Sequence, residues 1–418
     1  MASDDGPVLG LFEGVGVEIE YMIVDRERLN VLPVCDQVLA AEAGEITTDV
    51  EFDDISWSNE LVLHVIELKT TAPVADLTGL AEAFQTHVGR INKRLEPLGG
   101  MLLPTAMHPW MHPDRETKLW PHEYNAVYET FNRIFDCRGH GWSNLQSTHI
   151  NLPFKGDEEF GRLHAAIRLL LPIMPALAAS SPFVDGRATG ILNNRMAMYK
   201  KNAARSQSIS GDVIPEPVYT RDQYEEQILQ RIYRDLAPHD PDGTLRYEWA
   251  NARGAIARFD RSAIEIRVLD VQETPAADVA IVALIVEVLR ALTDEAWCDL
   301  RTQQRFDTRE LAAMLDDCIR DGEHAVISDT QYLHSLGVGG LGPLPAGDVW
   351  RSLLQAVRQR PNASPMVHSQ SAEGILAVRP LARTLLHDEG DQGIQSGLHQ
   401  RYLHLAHQLA DGASAVSK

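Results

Sequence analysis

Cysteine is scarce in this chain: Cys35, Cys137, Cys298 and Cys318 are far apart, with no CxxC pair or other zinc-ligand spacing. That removes a thiolate metal site. Because the opening MASDDGPVLG also lacks a signal-peptide pattern, the expectation is reduced thiols in a cytoplasmic protein. Positive charge is short as well. The 38 Lys and Arg against 59 Asp and Glu leave a formal charge of -21, which argues against a nucleic-acid or anionic-membrane surface but leaves room for a local basic pocket. Long uninterrupted apolar runs are missing. The most apolar helical stretch, residues 276–292, carries Asp278, Glu287 and Arg290 and reads as a core helix, too short and too interrupted to span a bilayer. A glycine-rich phosphate loop is missing too: Gly337, Gly339 and Gly342 in GVGGLGP imitate one loosely, but no apolar strand precedes them. There is no internal repeat, low-complexity tract or linker.

What remains is an ordinary globular composition, 44% hydrophobic and 23% charged, in a chain long enough for a large core. The simplest organisation is a single catalytic domain over 1–418, with a sheet-bearing core at 1–305 and a mainly helical extension at 306–418. The informative stretch is GVGVEIEYMIVD, residues 14–25. Read as a strand, it puts Val15, Val17, Ile19, Tyr21 and Ile23 on one face and Glu18 and Glu20 together on the other. Two carboxylates about 7 Å apart on one face repel unless water, a cation or a basic group lies between them. Two readings compete: a half-exposed strand with solvated acids, and a sheet-mounted site for a hard cation.

Further strands repeat the form. Residues 31–34 are expected to return antiparallel as a hairpin arm. Residues 64–71 place Glu67 and Lys69 opposite His64, Ile66 and Leu68. LQSTHINL, residues 145–152, places His149 and Asn151 on one face. AIARFDRSAIEIRVLD, residues 255–270, reads as a hairpin whose second arm pairs Glu265 with Arg267. Helical spacing marks 76–95, 123–136, 157–179 (with Pro172 and Pro175 as kinks), 222–235, 308–321, 347–358 and 393–410. NNRMAMYKK, residues 193–201, is the densest positive segment and contains Arg195. His108, His112 and His122 lie among prolines in one loop and raise a zinc hydrolase reading, against which Pro109 stands because it breaks a two-histidine helical face.

Several half-buried strands with acids on one side can form a concave, carboxylate-lined face that divalent cations would stabilise. Four carboxylates and one imidazole suit Mg²⁺ or Mn²⁺ better than zinc, and Mg²⁺ is usually completed by phosphates of a nucleoside triphosphate.

GVEIEYMIVD, VIELKT, THINL, ALAASSPFVDGRATG and AIEIRVLD occur in an order that resembles the carboxylate-amine ligases related to glutamate-cysteine ligase (type 2), within the glutamine synthetase fold superfamily. The resemblance covers about residues 12–300, and beyond it the chain matches only in being helical. It implies an α+β fold with a curved antiparallel β-sheet as the active-site face, packed with helices. It also implies ATP and Mg²⁺, and a two-step ligation in which a glutamate γ-carboxylate takes the γ-phosphate and the acyl phosphate is captured by an amine, cysteine first. By the same resemblance, Glu18, Glu20, Glu67, His149 and Glu265 are expected metal ligands. Arg267 is a phosphate contact and Arg195 a carboxylate or phosphate contact, the two catalytic arginines. Lys69 joins Arg267 in holding the nucleotide, and Glu60, seven residues before Glu67, is a further candidate ligand. The departure is Asn151, where many relatives carry a second histidine. Small-molecule substrates are the expected partners, with a homo-oligomer allowed. A phosphotransferase on the same metal-ATP site, or a non-catalytic ATP-binding regulatory relative, are the alternatives.

Overall fold

The computed structural model describes residues 8–340, 342–369, 374, 380–387 and 394–412. The first seven residues, Leu341 of the glycine run and the start of the 393–410 helix fall outside them.

Alternation makes the central strand. In β1 (Gly16–Asp25) the residues Val17, Ile19, Tyr21 and Ile23 are fully buried on one face. Around it runs an eight-stranded antiparallel sheet: β2 (Asp49–Val50), β3 (Ile55–Asn59), β4 (Val65–Thr70), β5 (Gly100–Leu103), β6 (Ser147–Pro153), β9 (Ala255–Arg258) and β10 (Ala263–Asp270), in the order β2-β3-β4-β1-β6-β10-β9. β5 takes the edge of β1 that β6 leaves, pairing with Met22–Asp25 where β6 pairs with Gly16–Ile19. A separate two-stranded ribbon, β7 (Phe183–Val184) with β8 (Arg187–Ala188), lies in the SPFVDGR segment. The α+β class and the antiparallel sheet expected from the sequence are present.

The inner face, with Ile66, Leu68, Ile150, Leu152, Ile264 and Ile266, joins one core with the helices Gly156–Leu170 and Pro275–Thr293. Thr274 caps the second of these from a position just before Pro275, where the missing proline N–H costs no helical bond. Thr148 on β6 donates to Asp278 on that helix at 2.6 Å, which fixes the strand against it. The stretch Gly156–Ala178 is long and apolar enough by composition to cross a membrane, but 94% of its window is buried inside the protein. It is a core element, and Pro172 and Pro175 break it into a helix, a 3-10 turn and a short helix.

One local expectation needs correction, and one strand was missed. Residues 31–34 form no strand: Val31 makes one bridge to Val24, and the helix Cys35–Ala43 begins where Pro33, lacking an N–H, has already ended any ladder. β3, by contrast, was not anticipated, although Ile55 and Trp57, both fully buried, alternate along it with Ser56 and Ser58, which register with Lys69 and Glu67 of β4. In the last third, Thr308–Asp321, Ala346–Arg358 and Ile394–Asp411 are helical as expected, with short helices at Thr330–Ser335 and Leu381–His387 besides. Some of this extension caps the sheet. Met22 and Val24, which continue the acid-bearing side of β1, pack with Leu381, Leu385, Leu398, Tyr402 and Leu405.

Candidate active site

Strand register assembles the site. Directly opposed residues in an antiparallel pair share a face. The pairs are Glu18 with Lys69 and Glu20 with Glu67 across β1 and β4, Glu18 with His149 across β1 and β6, Asn151 with Glu265 across β6 and β10, and Ser58 with Glu67 across β3 and β4. All five expected ligands therefore stand on one side of the sheet, and their side chains are only 5% to 17% exposed. They form two groups of three, Glu18–His149–Glu265 and Glu20–Glu67–His149, whose ligand atoms lie within 4.8 Å of one another in each group. His149 belongs to both.

Neighbouring side chains hold the carboxylates in place. His149 Nδ1 lies 2.9 Å from Glu18 Oε2, and Asn151 Nδ2 donates to Glu18 Oε1 at 3.0 Å. The residue that departs from the expected histidine thus orients one of the acids. Ser147 donates to Glu20 from both its backbone N–H and its hydroxyl, at 2.7 and 3.0 Å. Ser58 donates to Glu67 at 2.7 Å, and Lys69 lies between Glu67, Asp49 and Ser58. On the far side, Arg267 pairs with Glu265, and Arg258 reaches to 3.8 Å of it.

The electrostatics separate the acids. Burial works against the Glu18 charge, but the His149 hydrogen bond and the charges of His149, Lys69 and Arg267 pull its carboxyl down to about 2. Burial, with the Glu18 charge, pushes Glu67 up to about 7 against the opposing Lys69. Burial and the charges of Glu67, Glu20 and Glu18 push Glu60 well above the usual carboxylate range, which brings this acid into the same field. Burial opposes a charged His149, yet Glu18, Glu20 and Glu265 raise it. These acids are crowded beyond what water can relieve.

A stability prediction follows from Glu67. Its ordinary value is 4.5 and its folded value about 7, so the folded state holds the proton more tightly. Its contribution is favourable below about pH 4.5 and is lost as pH rises through about 7. Glu67→Gln should therefore stabilise the protein at pH 8 without divalent cations by on the order of 2 kcal/mol, with the gain gone at pH 4.5. Thermal unfolding at the two pH values reads the effect, and equal differences at both would refute it.

Arg195 is placed differently from expectation. Only 2% exposed, it pairs with the fully buried Asp270 at 2.7 Å and donates to the Arg267 carbonyl at 3.0 Å, so its guanidinium is committed to the protein's own groups. The three loop histidines do not converge. His108 is buried against the Leu29 carbonyl, His122 pairs with Asp36, and His112 is exposed. Among the described residues, both His and acid clusters lie on the sheet, and the zinc hydrolase reading falls. Sequence reasoning missed Ser147, Ser58 and Asp270. Ser147 was legible only as a polar residue at a strand start, Ser58 lies on a strand that was not anticipated, and Asp270 was legible only as the end of the EIR strand.

The sequence profile described as glutamate-cysteine ligase family 2 matches residues 14–334. An uncharacterized protein of Archaeoglobus fulgidus is 33% identical over 325 residues, covering 76% of this chain and 87% of that protein. A Rubrobacter xylanophilus protein named "Putative glutamate--cysteine ligase 2-3" is 26% identical over 189 residues, a match that spans only 44% of this chain and 48% of that relative. In fold, the chain is similar to the crystal structure of a glutamate-cysteine ligase from Francisella tularensis in complex with AMP. The TM-score is 0.62 at 13% identity, covering 98% of this chain and 91% of that one. The profile match spans the whole acid-bearing sheet from β1 to β10, and on that extent the chain belongs to the glutamate-cysteine ligase family 2 and is a ligase.

Proposed function

We propose that this protein is an ATP-dependent ligase that joins the carboxylate of an amino acid, glutamate through its γ-carboxylate first, to an amine through an acyl phosphate. The observation that carries the reading is the pair of three-ligand groups sharing His149 on one buried sheet face. The donor set fits Mg²⁺ or Mn²⁺: carboxylate oxygens with one imidazole and no thiolate, in a field that already penalises the Glu67 and Glu60 charges. Glu18 and Glu265 would hold one ion and Glu20 and Glu67 a second, and the single lone pair of a neutral His149 would complete one of the two. Such ions screen phosphate oxygens and the charge that develops on them.

The chain's own groups have distinct tasks. Glu18, held down to about 2, stays anionic at neutral pH. Arg267, 23% exposed beside Glu265, supplies a fixed positive charge for the phosphoryl group being transferred, and Lys69 supplies one on the β4 side. In the first step a carboxylate oxygen of the substrate bonds to the γ-phosphorus and ADP leaves. In the second the amine nitrogen bonds to the acyl carbon, loses its proton, and phosphate leaves. The AMP in the Francisella neighbour supports an adenine nucleotide here. The reading extends to a cytoplasmic setting, where ATP and amino acids are available.

Purified protein with ATP, Mg²⁺, glutamate and a panel of amines, cysteine included, should release ADP and free phosphate and yield a new amide by mass. A stable phosphoryl product would establish the phosphotransferase instead. No ADP with any amine, with ATP binding retained in calorimetry, would leave a regulatory nucleotide binder.

A further inference from the structure

On β10 the ladder to β6 changes register between Ile266 and Leu269, so that Arg267 and Val268 oppose His149 alone across an extra residue. Beside this bulge the Arg267 side chain pairs with Glu265, two residues earlier on the same strand. The Arg267 carbonyl accepts from Arg195 Nη2 at 3.0 Å, while the Arg267 N–H donates to the Gly254 carbonyl at 2.9 Å.

Arg195 is itself fixed. Its Nε donates to Asp270 Oδ1 at 2.7 Å, and its backbone N–H donates to Ser181 Oγ at 3.1 Å. Asp270 Oδ2 accepts from the Ser180 N–H and the Ser181 hydroxyl at 2.9 and 2.8 Å. Both charges are buried, which is tolerable only because each is paired and hydrogen-bonded.

We propose that Arg195 is a positioning residue for Arg267. Anchored on Asp270, it grips the backbone of the bulge from behind and so fixes the residue that faces the transferring phosphoryl group. The catalytic part of this inference rests on the ligase reading above, whereas the grip on the bulge does not.

The test is a double-mutant cycle of Arg195→Lys and Arg267→Lys, read by turnover and by amide hydrogen exchange. A lysine keeps the charge opposite Asp270 but cannot also reach the Arg267 carbonyl with a forked donor. Arg195→Lys should lower kcat roughly 10- to 100-fold with little change in KM for ATP. Added to Arg267→Lys it should cost nothing more, since both act through one guanidinium. Exchange should quicken over residues 266–268 and stay unchanged in β4 and β6. Asp270→Asn, which loosens the anchor without altering Arg195, should quicken exchange over the same residues and lower kcat less, and it keeps the test open if Arg195→Lys folds poorly. Additive losses in the cycle, unchanged exchange in Arg195→Lys, or unchanged exchange in Asp270→Asn would each overturn the proposal. A wild-type protein without turnover would defeat the ligase reading and the catalytic role together, while the exchange arm would still decide the grip.

Discussion

Glu18→Gln and Glu265→Gln should each lower ADP release and amide formation by on the order of 10³-fold while leaving the unfolding temperature near that of the parent. Each substitution is close to isosteric, so the hydrogen bond from Asn151 to Glu18 and the packing of β10 can persist. What is lost is a charge. Both residues belong to the Glu18–His149–Glu265 group, where a neutral amide is a poor partner for a divalent cation. The ordinary alternative, a solvated strand carboxylate, predicts a change too small to measure. Coupled ADP assays with a Mn²⁺-binding titration read both effects. A variant that retains a tenth of parental turnover, or that binds Mn²⁺ as before, would contradict the assignment.

Arg267→Lys should cost roughly 10²- to 10³-fold in kcat, comparable to removing one fixed donor aimed at developing charge. The reason is shape as much as charge. The guanidinium uses Nε on Glu265, and its planar fork permits a second directed contact, whereas an ammonium on a flexible stem is a compact point charge. The expected signature is a fall in kcat that exceeds any rise in KM for ATP, because the interaction grows as the phosphoryl group transfers. A loss confined to KM would make Arg267 a ground-state binding residue.

Much of this site was readable from one period. Alternation along GVEIEYMIVD and AIEIRVLD separates acids from core residues, and the structure follows it: Ile19, Ile66, Ile150 and Ile264 are fully buried opposite Glu18, Glu67, His149 and Glu265. Which strands neighbour which was not readable, because pairing between residues 18, 67, 149 and 265 depends on loops whose sequences carry no register information. Arg195 shows the same limit from the other side. Its position in a basic segment pointed to an anionic ligand, but the anion turned out to be Asp270, 75 residues away and fully buried. Ser147 was equally silent, since a serine at a strand start gives no sign that a carboxylate from β1 will meet both of its donors.

The register of β1 has a consequence for how the chain reaches its native form. Glu18 and Glu20 alternate with Val17, Ile19 and Tyr21, so a slip of one residue against β4 would carry Glu67 and Lys69 into the apolar layer and expose Ile66 and Leu68. Charges carried into that layer would lose their water without gaining partners, which is strongly unfavourable. The same acids that crowd one face of the sheet therefore discriminate against misaligned sheets during folding. Their pairings join distant parts of the chain, and long-range closure of this kind is slow. A ligand that binds only the completed face would report the last stage of assembly and would raise the apparent stability of correctly registered chains by mass action.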